Sequence, residues 1–297
     1  MNQHLAFLFP GQGSQYASMG KIFEGQETAK PFLDTFEESL SYSFQSLTDE
    51  ELSVTRVTQP VLYTLSCIHL EYLKKKGWSP NIVAGHSLGE YAACYAAEVF
   101  TFKEGLDLVA FRGQLMHEVS KQNAGKMAAI IGLSQETVFR ICHECSSYGI
   151  VEAVNINSEK QIVISGENEA VNKACEKAKE EGARRAIILP VSAPFHSSLM
   201  KKIREVFANK IKSYRFRNPK IMIVQNIDAC VHQNPLRIQD NLILQLYSPV
   251  YWMQSMQEMK IRGAREFVEV GPKKVLSSLA QSMGYQAQSS EEILKVL

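Results

Sequence analysis

The sequence predicts an α/β fold in which a small βαββαβ unit is inserted into a larger one. Three observations carry that reading. Short apolar runs alternate with longer amphipathic stretches, Pro and Gly fall between them as punctuation rather than in tracts, and the rhythm changes near residue 125 and back again near residue 190. The larger unit opens with Leu5-Ala-Phe-Leu-Phe9, a buried strand, followed by helical patterns near 28–40 and 59–76 and a second strand at Ile82-Val-Ala-Gly85. Helices are expected at 88–97 and 103–121. From Met127 the order is strand to Gly132, helix 134–146, strand 150–156, strand 161–165, helix 167–181 and strand 184–190, the ferredoxin-like arrangement. Entry is expected near Asn123-Ala124-Gly125 and exit near Leu189-Pro190. Residues 1–124 and 191–297 then form the large domain and 125–190 the small one. The large domain resumes with a helix after His196, a strand at Ile221 to Val224, helices over 235–262, a strand at Phe267 to Val270 and a final helix from 273. A cleft between two such domains is where a ligand is expected.

With 297 residues, 45% hydrophobic and 21% charged, the chain can bury a large core and a satellite. Lys+Arg 32 against Asp+Glu 31 leaves a net charge of +1, so no global field draws it onto nucleic acid or an anionic membrane. The start lacks a basic segment followed by a long apolar run, and no apolar run is of bilayer length; a cytoplasmic monomer is expected. Six scattered cysteines suit free thiols in a reducing compartment. Cys142-His143-Glu144-Cys145 is the one suggestive pair, but it lies inside an amphipathic helical pattern with no second ligand pair nearby, and no metal is expected there.

Gly85-His86-Ser87-Leu88-Gly89 matches G-x-S-x-G between a strand and a helix, the context of a nucleophile elbow. Small residues around Ser87 allow a sharp turn, and the following helix offers free N–H groups to a developing oxyanion. A serine hydroxyl needs a base, and neutral imidazole can serve. Of seven histidines, His4, His69, His117 and His143 lie in strand or helix patterns that suit packed or solvated rings, and His232 lies in a polar loop. His86 adjoins the serine along the backbone and suits orientation or packing. His196, in Pro190-Val-Ser-Ala-Pro-Phe-His196, lies at a junction that would face the cleft, and is the expected base. No carboxylate stands out as a third member: Asp228 and Asp240 are both open to that role.

Phe9-Pro-Gly-Gln-Gly-Ser-Gln15, Thr58-Gln-Pro60, Gly85-His-Ser-Leu-Gly-Glu-Tyr91, Arg112-Gly113, Asn155-Ile-Asn-Ser158, Pro190 to His196, Gln245-Leu-Tyr247 and Gly271-Pro272 occur in one order. In that order they resemble the malonyl-CoA:acyl-carrier-protein transacylases of bacterial fatty-acid synthesis, nearly end to end. The resemblance implies an α/β-hydrolase-like large domain beside the ferredoxin-like one. It implies that the main-chain carbonyl of Gln245 holds the His196 ring, that the N–H groups of Gln12 and Leu88 form an oxyanion hole, and that Arg112 grips the free carboxylate of malonate. His86 and Phe195 are placed by it at the substrate, Phe195 as a hint of a tight acyl pocket. Gly11 and Gly13 do not begin a dinucleotide fingerprint, because Tyr16 occupies the third glycine position.

The implied reaction is ping-pong, from malonyl-CoA through malonyl-Ser87 to the phosphopantetheine thiol of an acyl carrier protein, with no cofactor. A discrete acyltransferase serving a polyketide or polyunsaturated fatty-acid line shares every such residue. An acyl-thioester hydrolase is disfavoured by Arg112, and a silent docking module by Ser87, His196 and Arg112 together. Lys201, Lys202, Lys273 and Lys274 are candidates to meet an acidic carrier, against the plainer reading of solvated lysines. Two departures stand out. Lys273 follows Gly271-Pro272 where the family has glycine, and the segment between Tyr42 and Thr58 is shortened, which alters a surface loop but touches no expected catalytic residue.

Overall fold

A computed structural model of the chain describes residues 4–122, 125–191 and 193–295. Asn123 and Ala124, at the expected domain entry, and Ser192, in the His196 motif, lie outside them. The chain runs β1 (Leu5–Phe9), α1 (Lys30–Leu40), α2 (Thr55–Lys75), β2 (Ile82–Gly85), α3 (Gly89–Ala96) and α4 (Phe102–Gln122). It continues through β3 (Gly125–Ile131), α5 (Gln135–Glu144), β4 (Val151–Ser158), β5 (Gln161–Glu167), α6 (Asn168–Glu180) and β6 (Arg185–Ile188). After α7 (Arg204–Lys212) come β7 (Met222–Val224), β8 (Val231–His232), α8 (Pro235–Gln245), α9 (Trp252–Ile261), β9 (Glu266–Glu269), α10 (Val275–Ser282), β10 (Gln286–Ser289) and α11 (Ser290–Lys295).

The large sheet has the order β10-β9-β1-β2-β7-β8, parallel except for the β7–β8 pair. Its central strands are apolar on both faces, as a sheet covered by helices on each side requires. Leu5, Phe7 and Phe9 of β1 pack into a cluster with α2, α3 and α4, whereas Ala6 and Leu8 face Trp252, Met256, Met259 and Leu276 on the other side. The small sheet has the order β4-β5-β3-β6, wholly antiparallel, with α5 and α6 closing its own core around Ile130, Ile141, Ile162 and Val171. Cys142 and Cys145 are buried in that core, while His143 is exposed. The units meet where Val250 N–H donates to the Val154 carbonyl (2.8 Å) and Ile156 N–H to the Val250 carbonyl (2.9 Å). Among the described residues no helix is long and apolar enough to cross a membrane.

Expected elements and observed ones differ in physically readable places. Helix α2 starts at Thr55 rather than 59 and keeps Pro60 inside it. The Val57 and Thr58 N–H groups both bond the Val54 carbonyl, and Thr58 Oγ1 bonds the carbonyls of Leu52 and Val54, so the first turn closes ahead of the proline. The polar edge strand β10, Gln-Ala-Gln-Ser, carries no apolar alternation, and β8 has only two residues. Lys273 takes φ 63, the left-handed backbone that glycine favours.

His69, fully buried in α2, shows what the core costs in acid. Its Nδ1 pairs with Ser290 Oγ at 2.8 Å, its ring meets Phe23 edge-on at 4.9 Å, and burial pushes its pKa down to about 3. The unfolded chain binds a proton at this histidine below its ordinary value of 6.5, which the folded chain refuses until about pH 3. The contribution of a neutral, buried His69 to stability is therefore full above about pH 6.5 and falls on acidification from there toward pH 3, at up to about 1.4 kcal/mol per pH unit. Urea unfolding between pH 7 and 4 is expected to show a slope that His69→Gln lessens by up to about 1.4 kcal/mol per pH unit; an equal slope in both chains would remove His69 as a contributor.

Candidate active site

Strand β2 ends against α3 at a turn that admits only glycine at two positions. A Cβ on Gly85 would stand 1.9 Å from the Gly89 carbonyl carbon, and one on Gly89 would stand 2.0 Å from the Phe9 oxygen. Between them Ser87 holds φ 52, a left-handed conformation costly for a side-chain-bearing residue. The turn is pinned from outside: Ser87 N–H donates to Asn226 Oδ1 (2.7 Å), Asn226 Nδ2 to the Gly85 carbonyl (2.7 Å), and Gln245 Nε2 to the Ser87 carbonyl (2.9 Å).

Ser87 Oγ lies 2.6 Å from His196 Nε2, bringing together residues 109 positions apart. His196 has φ 64 and is buried. Its Nδ1 lies 2.8 Å from the main-chain oxygen of Gln245, the last residue of α8. A helix leaves its final carbonyls unpaired and carries partial negative charge there. Nδ1–H donating to that carbonyl leaves the Nε2 lone pair facing the hydroxyl. Burial, and then the Arg112 charge, hold the His196 pKa down to about 3, so the ring is neutral at neutral pH. Neither aspartate takes part: Asp228 pairs with His232 (2.8 Å) and Asp240 is exposed. His4 bonds the Gly263 carbonyl, and His117 lines the rim of a cavity described below.

Arg112, from α4, is 1% exposed. Its Nη2 donates to Ser87 Oγ and to Gln245 Oε1, both at 3.2 Å, and Nη1 to Gln59 Oε1 at 2.7 Å, while the guanidinium carbon lies 5.6 Å from the Tyr91 ring centre. Among the described residues its Nε–H has no partner and no carboxylate pairs with it. Gln59 Nε2 donates to Thr55 Oγ1 (3.0 Å), which donates to Gln12 Oε1 (3.0 Å). Thr55, at the start of α2 and inside the shortened segment, thus holds the side chain of Gln12.

The Gln12 and Leu88 N–H groups meet no acceptor among the described residues. Gln12 and Phe195 line a cavity of about 410 Å³ with Val54, Thr55, His117 and Val191. His86 points elsewhere: its Nε2 lies 2.9 Å from Asn157 Oδ1 on β4, and its ring packs 5.4 Å from Trp252. It straps the small sheet to the large one, which fits the packing role read for it from its neighbour position. Sequence reasoning assigned no role to Gln59, Glu90, Asn157 or Asn226. The first three lie inside the quoted motifs, which was the available signal; Asn226 had none beyond its place after the β7 strand.

A parallel sheet topped by a serine in a strained strand–helix turn, bonded to a histidine, defines the class of serine-nucleophile α/β enzymes. Comparison with known proteins narrows it. The acyl transferase domain family matches residues 6–294. The malonyl CoA-acyl carrier protein transacylase of Bacillus subtilis is 40% identical over 285 residues, covering 94% of this chain and 90% of that protein. The crystal structure of an acyl-carrier-protein S-malonyltransferase from Burkholderia pseudomallei superposes with a TM-score of 0.93 at 39% identity, covering 98% of this chain and 99% of that one. A malonyl-transacylase in complex with its type II PKS acyl-carrier protein superposes with a TM-score of 0.92 at 36% identity, covering 96% of this chain and 95% of that one. The chain belongs to the acyl transferase domain family and, within it, to the malonyl CoA-acyl carrier protein transacylases.

Gly89→Ala tests the elbow directly. Because the added carbon would fall on backbone rather than on a movable side chain, destabilisation of about 3 kcal/mol or more is expected. A melting temperature within a few degrees of the parent would show that the turn is looser than described.

Proposed function

We propose that this chain moves a malonyl group from malonyl-CoA to the phosphopantetheine thiol of an acyl carrier protein through an ester on Ser87. The observation that carries this reading is Arg112: a buried cation without a carboxylate partner among the described residues, its Nη2 3.2 Å from the candidate nucleophile. A fixed guanidinium beside the reacting hydroxyl selects an acyl group that brings its own carboxylate.

In the first half-reaction His196 Nε2 takes the Ser87 proton as Oγ bonds the thioester carbonyl carbon. The Gln12 and Leu88 N–H groups receive the oxyanion. When the tetrahedral species collapses, the C–S bond breaks and the imidazolium passes its proton to the departing coenzyme A sulfur. The helix-end carbonyl of Gln245 supports that imidazolium without a carboxylate. The carrier's thiol then gives its proton to His196, attacks the ester carbonyl and releases Ser87. Phe195 and the cavity it shares with Gln12 shape the acyl and thioester path, and His86 holds the small domain to the large one. Residues 1–124 and 191–297 act as the catalytic domain and 125–190 as the domain that walls the cleft. Every group in the route comes from one chain, so a monomer suffices, and no cofactor is used; a cytoplasmic setting fits its substrates. A polyketide carrier is a second reading, favoured by the likeness to the transacylase solved with a type II PKS acyl-carrier protein.

Incubation with malonyl-CoA is expected to add one malonyl group by intact-mass analysis, absent in Ser87→Ala and discharged when holo carrier protein is added. An adduct that persists in Ser87→Ala would refute the nucleophile. Arg112→Ala is expected to slow malonyl transfer roughly 10- to 100-fold, the worth of a buried charge-assisted pair, while sparing or improving acetyl transfer. Equal losses for both acyl groups would remove Arg112 from substrate selection.

A further inference from the structure

We propose that Glu90 is the positioning residue of this site: its buried carboxylate holds the Gln245 side chain and, through it, both the Ser87 carbonyl and the acceptor of the His196 ring. The inference rests on the reading of Ser87 as nucleophile and His196 as base.

Glu90 lies in the first turn of α3, 0% exposed, and no cation pairs with it among the described residues. Oε1 accepts from Gln225 Nε2 (2.9 Å), and Oε2 accepts from Gln245 Nε2 (2.6 Å) and from the Asn226 N–H (3.3 Å). Each amide that points at it is oriented by a partner that cannot be exchanged. Gln225 Nε2 also donates to the Ile238 carbonyl (3.2 Å), and Gln245 Nε2 to the Ser87 carbonyl (2.9 Å). All polar neighbours of Glu90 are therefore donors, and a proton on either oxygen would face an N–H. The network is built for the anion.

Gln245 converts that anion into geometry. Its Nε2 bridges Glu90 and the Ser87 carbonyl, its Oε1 accepts from Arg112 Nη2, and its main-chain oxygen receives His196 Nδ1. Losing the Glu90 acceptor frees a side chain that bonds both the Ser87 carbonyl and the guanidinium, on the residue whose main-chain oxygen orients the base. Other charged or titratable groups also bear on Glu90. Asp228, after β7, opposes its ionisation, Arg112 on α4 faces it across Gln245, and Tyr91 and Cys94 are neutral neighbours on α3. Burial first, and Asp228 to a lesser degree, raise the Glu90 pKa to about 7 against the pull of its three donors. The His196 ring, down at about 3, is neutral throughout that range. An acid limb near neutrality in the acylation rate therefore belongs to Glu90 and not to the base.

The test is single-turnover malonylation of Ser87, followed by intact mass from pH 5.5 to 8.5. In the parent the rate is expected to rise with pH through a midpoint near 7 and level off. Glu90→Gln is expected to lose the limb and to lower the plateau roughly 10- to 100-fold, the cost of misplacing reacting groups by about an ångström, with half-saturation by malonyl-CoA within about threefold. Glu90→Asp, which keeps the charge, is expected to retain a limb. A Glu90→Gln chain with a lowered melting temperature but an unchanged plateau and limb would make Glu90 structural only and overturn the proposal. If Glu90→Gln does not fold, the parent decides, and a flat profile overturns it. A parent chain that forms no adduct on Ser87 at any pH removes the underlying reading; a Ser87 adduct formed at full rate in Glu90→Gln removes only the role of Glu90.

Discussion

The Ser87 hydroxyl faces His196 and Arg112 because the peptide groups on both sides of a strained residue are held from a distance. A left-handed serine costs on the order of 1–2 kcal/mol relative to the ordinary backbone. Asn226 holds its N–H and Gln245 its carbonyl, and a buried neutral hydrogen bond contributes about 1 kcal/mol net. The two bonds together offset the strain only if both partners arrive in place. Asn226 is carried there by the pairing of β2 with β7, and Gln245 by the C-terminus of α8. The local turn is thus a product of the whole sheet, and the invariance of its shape rests on elements more than a hundred residues away in the chain.

The same Gln245 separates the two buried charges of the site. Arg112 reaches its Oε1 and Glu90 its Nε2, so cation and anion are linked through a polarised amide rather than in contact. A direct ion pair would neutralise the guanidinium and leave nothing for an incoming carboxylate to satisfy. Apart, Glu90 sits among donors, and Arg112 keeps an unused Nε–H and a bond to the Ser87 hydroxyl. Burial makes such an arrangement costly to assemble and strong once assembled.

Much of the scaffold was legible because its signals are local. Leu5 to Phe9 and Ile82 to Gly85 are apolar without alternation, as strands buried on both faces must be, and both were placed with their observed limits. The βαββαβ order came from periodicity alone. The edge strand β10 was not readable, because a strand with one open side and a polar sequence lacks the apolar pattern that marks the others. Helix α11 did leave a trace: Ser289 and Glu292 form a reciprocal capping box, with Ser289 N–H on Glu292 Oε2 and Glu292 N–H on Ser289 Oγ. For the site, Ser87 announced itself by spacing and His196 by position, whereas Gln245, Gln12 and Arg112 came from resemblance. Glu90, Asn226 and Gln59 act through contacts 135 to 155 residues long or across two helices; the quoted motifs contain Glu90 and Gln59 without showing what they touch, and Asn226 has no such mark.

The small sheet is tied to the large one beside the serine turn. Its β4 bonds the backbone around Val250, immediately before α9, and its Asn157 bonds His86, immediately before Ser87. Trp252, fully buried at the start of α9, packs against the same His86 ring. Burial lowers the His86 pKa, so at neutral pH its neutral ring can take part in a bond to a neutral amide without an uncompensated charge. One imidazole therefore ties the small sheet, the helix that covers the large sheet and the turn that bears the nucleophile into a single junction. Separation of the two sheets about this seam would pull on the residue next to Ser87.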